Sequence, residues 1–168
     1  NFPDALAASA LAYSQRIPIL LVQKDAIPLA VSKALTDLSV TRTIILGGSG
    51  VISSNVESQF PSPTRIAGID RYETASLLAN YTVLNYGLSW NFSLVATGTN
   101  FPDALSGGSL AGKNKAVLLL TSPSTIPYST YVLLSSNRFG LSKIFISGGP
   151  GAISEDTKIG IDYAVIGR

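Results

Sequence analysis

Leu94-Val95-Ala96-Thr97-Gly98-Thr99-Asn100-Phe101-Pro102-Asp103-Ala104-Leu105 passes from a short apolar run, through a glycine, into a segment opened by proline and aspartate. The run lacks period-two alternation and reads as a strand buried on both faces. Pro102 stands where a first-turn proline belongs, and the Asp103 carboxylate meets the positive end of the helix dipole. A buried strand that feeds straight into a helix is the unit of a parallel α/β sheet.

The last six residues of that stretch occur twice, since Asn1-Phe2-Pro3-Asp4-Ala5-Leu6 returns letter for letter as Asn100–Leu105. At the same offset of 99, Leu11-Ala12 faces Leu110-Ala111, Ile19-Leu20-Leu21 faces Leu118-Leu119-Leu120, and Ile27-Pro28 faces Ile126-Pro127. Gly47-Gly48-Ser49-Gly50-Val51-Ile52-Ser53 returns as Gly148-Gly149-Pro150-Gly151-Ala152-Ile153-Ser154 at an offset of 101. Ordered matches of this kind mark a duplicated module. Arg65–Ala75, the helix behind it and the strand Phe92–Ala96 have no upstream counterpart. We therefore expect 64–168 to be a complete module and 1–63 the back part of another, joined at Pro61-Ser62-Pro63. The partial copy should carry an open sheet edge or borrow a strand. The start at Asn1, inside a repeated motif and without a signal peptide, is what an excised piece would show.

Other apolar runs extend the pattern. Ala116–Leu120, Lys143–Ser147 and Tyr163–Ile166 are expected as buried strands, and Ile19-Leu20-Leu21 as core strand of the first copy. Asp70 followed by Glu73 predicts a capping box, with Ala75, Leu78, Ala79, Thr82, Val83 and Tyr86 on one helical face and Gly87 as the stop. Ser154, ahead of Glu155 and Asp156, predicts another helix start. The expected fold class is α/β: a layered sandwich around a mostly parallel sheet, Rossmann-like or toprim-like, internally duplicated.

Composition narrows the chemistry. The 168 residues include no Cys and no His, which removes thiolate nucleophiles, disulfides, cysteine zinc sites and the Ser–His–Asp triad. Net charge is only +2, with no Lys or Arg run, so nothing suggests nucleic-acid binding. The apolar runs are far shorter than the ~20 residues a bilayer requires, so no membrane insertion is expected. Neither a cofactor nor a metal is implied.

In an open parallel sheet, ligands collect where strand carboxyl ends lead into helix N-termini. Here those loops are Ala67–Asp70, Thr97–Asp103, Thr121–Pro127 and Gly148–Ser154, and both repeated motifs fall on this edge. Gly47-Gly48 and Gly148-Gly149 offer backbone N–H groups to an anion, or simply a turn that needs positive φ. Asp4 and Asp103 are first-turn acids that stabilise the helix dipole; the functional alternative pairs Asp103 with Asp70 across the edge as a Mg²⁺ or acid/base site, which no clustered carboxylate pattern supports. Arg65 and Arg71 flank Gly68; Arg71 at a helix start requires either an ion pair with Asp70, Asp103 or Glu73, or a bound anion. The candidate ligand-binding set is Arg65, Arg71, Asp70, Asp103, Gly148, Gly149, Gly47 and Gly48. Gly107-Gly108-Ser109 most simply permits close helix packing.

Taken together, Arg65–Ala75, Ala96-Thr97-Gly98, Phe101–Leu105, Leu118–Leu120 and Gly148–Ser154 resemble the bacterial cell-wall-binding repeat 2 family, in the family's order. The resemblance covers 64–161, and its later motifs recur across 1–58. It implies a non-catalytic module, usually in three tandem copies, that holds surface-layer proteins, wall hydrolases or adhesins on Gram-positive walls. It also implies threefold association with sister repeats and non-covalent attachment to an anionic, teichoic-acid-like wall polysaccharide, in an extracellular setting. The chain departs from the family pattern in carrying one and a half copies instead of three. The alternatives are a structural self-association module of a surface layer, and a wall-glycan enzyme using Asp70 and Asp103.

Overall fold

The computed structural model describes residues 3–167; Asn1 and Phe2 of the repeated motif, and Arg168, lie outside the described residues. Helices α1 (Pro3–Ala7), α2 (Ser9–Gln15) and α3 (Leu29–Asp37) precede strand β1 (Thr43–Leu46), the short helix α4 (Ser54–Glu57) and strand β2 (Pro63–Ile66). Then follow α5 (Arg71–Tyr86), β3 (Ser89–Thr97), α6 (Phe101–Lys113), β4 (Ala116–Thr121), α7 (Tyr128–Asn137), a 3₁₀ turn (Arg138–Gly140), β5 (Lys143–Ser147) and α8 (Glu155–Ile166). The order is α/β throughout, and every strand pairing is parallel.

The larger sheet runs β4-β3-β5, with Val95 opposite both Leu119 and Ile146. Successive crossovers from β3 to β4 and from β4 to β5 travel in opposite directions across the sheet. Right-handed connections therefore set α6 on one face and α7, with α5, on the other. All six residues of β4 are buried, as continuous apolar runs in a doubly covered parallel sheet should be. A smaller sheet joins β1 to β2 in register Leu46↔Ile66, so the strand that opens the second copy completes an edge of the first.

Local signals act as their chemistry dictates. Asp70 Oδ1 accepts from the amides of Tyr72 and Glu73 at 2.9 and 2.8 Å, and Glu73 Oε2 accepts from Ile69 N at 2.6 Å, closing the capping box. Gly87 ends α5 at φ 69°, and Ser154 Oγ accepts from Thr157 N to start α8. Helix α2 lies on α6, where Gly108 leaves room for Ser9 and Gly112 for Tyr13; a Cβ on Gly112 would stand 2.6 Å from Ala10 O. Ser9 Oγ also donates to Leu6 O at 2.7 Å and to Ala104 O at 3.3 Å, so a polar atom is satisfied inside this contact. Leu6, Ala7, Ala10 and Leu11 thus share one core with the larger sheet.

Two expected strands are corrected. Tyr163–Ile166 is the last turn of α8, because Thr157, Ile161 and Ala164 bury at spacings of four and three, a helical period. Ile19-Leu20-Leu21 forms no strand and is not core, since Ile19 is 40% and Leu21 50% exposed. Its counterpart Leu118-Leu119-Leu120 owes its burial to β3, and no strand lies beside 19–21 among the described residues.

Candidate functional site

The parallel pairing of β1 with β2 brings their carboxyl ends side by side, and Gly47 N donates to Ile66 O at 2.9 Å. The loops leaving these strands enclose a cleft of about 190 Å³ lined by Asp4, Gly47, Gly48, Gly68, Asp70 and Arg71. Four of the eight candidate residues, Gly47, Gly48, Asp70 and Arg71, therefore meet, the glycines from one copy and the Asp-Arg pair from the next. Asp103, Gly148 and Gly149 meet on the other copy. Arg65 lies beneath the first turn.

Arg71 is the cation of the cleft. Its Nη1 donates to Gly98 O at 2.7 Å, which aims the guanidinium without neutralising it. Among the described residues it forms no ion pair with Asp70, Asp103 or Glu73, nor with any other carboxylate. Asp70 is occupied in capping, and Glu73 in closing the box. A half-buried guanidinium at a helix N-terminus leaves its remaining donors for an anion.

Arg65 is placed differently. Its Nη2 and Nε reach Glu57 Oε2 at 2.8 and 3.1 Å, Nη1 donates to Gly47 O at 2.6 Å, and Nη2 to Ile52 O at 2.9 Å. One side chain thus ties the glycine turn to α4 and β2. Its donors are engaged inside the protein.

The repeated Asp and the repeated Gly-Gly turn prove to be two sides of one contact. A Cβ on Gly47 would stand 3.2 Å from Asp4 Oδ2, and one on Gly148 3.1 Å from Asp103 Oδ2. The two glycines have φ of +102° and +132°, the region that disfavours side chains. A Cβ on Gly48 or Gly149 would meet nothing within 4 Å, so neither position is pressed against a packed wall. Asp4 was absent from the candidate set; its counterpart Asp103, 99 residues on, is the signal that places it there. Thr74, which accepts from Gly68 N at 3.0 Å and donates to Asp70 O at 2.9 Å, was also absent from the candidate set, although it stands within the Arg65–Ala75 motif. Among the described residues no three Asp or Glu side chains gather as a metal site, and no helix is long and apolar enough to cross a membrane.

The model of cell wall binding domain 2 (CWB2) matches residues 1–57 and 65–158. N-acetylmuramoyl-L-alanine amidase LytC of Bacillus subtilis (strain 168) is 31% identical over 167 residues, covering 99% of this chain and 32% of that protein. The amidase enhancer of the same organism is 33% identical over 130 residues, covering 75% of this chain and 17% of its own. Cwp6 from Clostridium difficile superimposes with a TM-score of 0.83 at 31% identity, over 97% of this chain and 26% of that one. The chain spans about a third or less of each of these relatives.

Proposed function

We propose, from the premise that this chain belongs to the cell wall binding domain 2 family, that it is a non-catalytic anchor holding an anionic secondary wall polymer by non-covalent contacts. The family places it outside the cell, at the wall surface. Residues 1–63 are then the back part of one repeat and 64–168 a complete second, a division that the matched stretches 1–57 and 65–158 support.

One observation carries the polymer reading: Arg71 stands in a rim cleft without a carboxylate partner among the described residues. It would meet the anionic group, with the amide of Gly48 beside it. Asp4, and the Asp70 oxygen not used for capping, would accept from sugar hydroxyls, so the mixed charge of the cleft suits a glycan bearing both acid and hydroxyl groups. Asp103 with Gly148-Gly149 offers the matching half of a second cleft. Arg65 serves by holding the first turn. Single-cleft affinity is modest, and repetition raises it through effective concentration. Association of sister repeats, in threes as the family resemblance implies, is supported by the close lie of α2 on α6.

The test is sedimentation with purified Gram-positive walls, before and after acid stripping of the secondary polymer. Binding should fall as salt rises and vanish on stripped walls. Equal retention on bare peptidoglycan would overturn the proposal.

A further inference from the structure

The two edges of the sheets carry opposite charge. Where strands end and helices open, the first turns hold acids, Asp4, Glu73, Asp103, Glu155 and Asp156 among them. Where helices end and strands begin, the side chains are basic. Arg16 caps α2, Lys113 lies in the last turn of α6, Lys115 precedes β4, Arg138 caps α7, Arg42 precedes β1 and Lys143 opens β5. Ser9 lies against Gly108 and Tyr13 against Gly112, so α2 and α6 run parallel and bring Arg16 to the same end as Lys113 and Lys115. All but Arg138 are exposed, and among the described residues none of the six forms an ion pair. The acids toward these helix ends are Asp37, which Lys33 holds, and Asp162 in α8. The cations form no run in the sequence; parallel strand order gathers them on one edge.

Helix dipoles account for part of this, since a cation is favoured at a helix C-terminus. They do not account for Arg42 and Lys143, which stand at strand starts, nor for the backbone at 16 and 115. Arg16 and Lys115 occupy the same repeat position, 99 residues apart, and hold φ of 56° and 51°. Their amides reach back alike, Arg16 N to Tyr13 O at 3.3 Å and Lys115 N to Gly112 O at 3.1 Å. A left-handed residue past a helix end is ordinarily glycine, yet both copies place a long cation there. Strain kept at the same point of both copies indicates a use for the side chain.

We infer that this amino edge is a second polymer-binding surface, a track of cations for acid groups spaced along a glycan, separate from the Arg71 cleft. The partner's chemistry rests on the wall-anchor reading; the surface itself does not. Phe139 is 90% exposed with the Arg138 guanidinium 4.6 Å from its ring centre, and Lys143 Nζ stands 4.9 Å from that of the part-exposed Phe145. Ring faces beside cations suit a polymer that offers both sugar faces and acid groups. Exposed cations on flexible stems bind diffusely, so contact here depends steeply on salt. A module held at both edges bridges two strands of polymer.

The test titrates the full chain with polygalacturonate, an acidic glycan of defined chemistry. Binding is followed by co-sedimentation and by the fluorescence of Trp90, the one tryptophan, near the start of β3. The combined Lys113→Gln, Lys115→Gln and Lys143→Gln variant should bind about tenfold more weakly, with a log–log salt slope shallower by about one per charge removed. Arg71→Ala should titrate as the parent does. Arg16→Gly with Lys115→Gly relieves both left-handed positions, so the urea midpoint should rise while binding weakens; a raised midpoint with unchanged binding would overturn the inference. The same variants are then sedimented with purified walls, alone and combined with Arg71→Ala. An unresponsive parent chain, or parent-level binding by the Gln and Gly variants, overturns the second surface and leaves the cleft standing. Wall retention that falls with the amino-edge changes but not with Arg71→Ala removes the cleft and keeps the edge. Tighter binding of an oligothymidylate than of polygalacturonate at equal charge overturns the glycan assignment.

Discussion

Asp103 lies against Gly148 across 45 positions of sequence, with its Oδ2 3.1 Å from where a Cβ on that glycine would stand. The same relation holds Asp4 to Gly47 at 3.2 Å. The helix-opening carboxylate and the positive-φ turn after the last strand are therefore one device used twice. Gly148→Ala should cost about 1–3 kcal/mol, because it adds left-handed strain to a crowded contact. Gly149→Ala, facing open space, should shift stability by less than about 0.5 kcal/mol. Urea unfolding midpoints of the two variants check the contrast.

The two candidate arginines should separate cleanly. Arg65→Ala removes the bonds to Gly47 O and Ile52 O and leaves the half-buried Glu57 unpaired, at a cost of about 1–3 kcal/mol in stability. Arg71→Ala loses one bond to Gly98 O and should change stability by about 1 kcal/mol or less, while lowering wall binding several-fold. Unfolding curves and wall sedimentation, run on both variants, assign each role. Wall binding by Arg71→Ala at the parent level would remove that side chain from the polymer contact.

Most of the fold was legible because its signals are local. The capping box at Asp70 and Glu73, the Gly87 stop and the both-face burial of 116–120 each depend on a few neighbouring residues. Failures arose where the answer depended on a partner. Ile19-Leu20-Leu21 carries the letters of a buried strand but has no strand beside it among the described residues. Tyr163–Ile166 is equally apolar, and only its helical burial period distinguished it. At the rim, the repeat pointed to the right loops. It could not say that Arg65 faces inward to Glu57 while Arg71, six residues on, reaches a carbonyl and no acid.

The glycines of α6 yield another prediction. Gly108 and Gly112, four apart on one helical face, let α2 approach until Ser9 and Tyr13 fill the space of missing side chains. Gly108→Val should overpack this contact and cost about 1–3 kcal/mol. The loss should be local at first, with amides of 10–15 exchanging faster while those of β4 keep their protection. Gly151→Val, at a position with open space around it, is the control.

The leucine-rich runs supply the last contrast, because the same letters stand in opposite surroundings. Leu119 is fully buried beneath β3, so Leu119→Ala should open a cavity and cost about 2–5 kcal/mol. Leu20, its counterpart, is only half-buried, and Leu20→Ala should cost about 1 kcal/mol or less in this chain. If wall binding depends on the run through folding alone, Leu119→Ala should lose binding in step with the fraction unfolded and regain it on cooling or with a stabilising osmolyte. Direct polymer contact would instead weaken binding in the fully folded variant, and the two cases separate when retention on walls is plotted against the folded fraction measured by circular dichroism. The burial of all six β4 residues favours the first course, since a side chain with no exposed surface has nothing to offer a polymer.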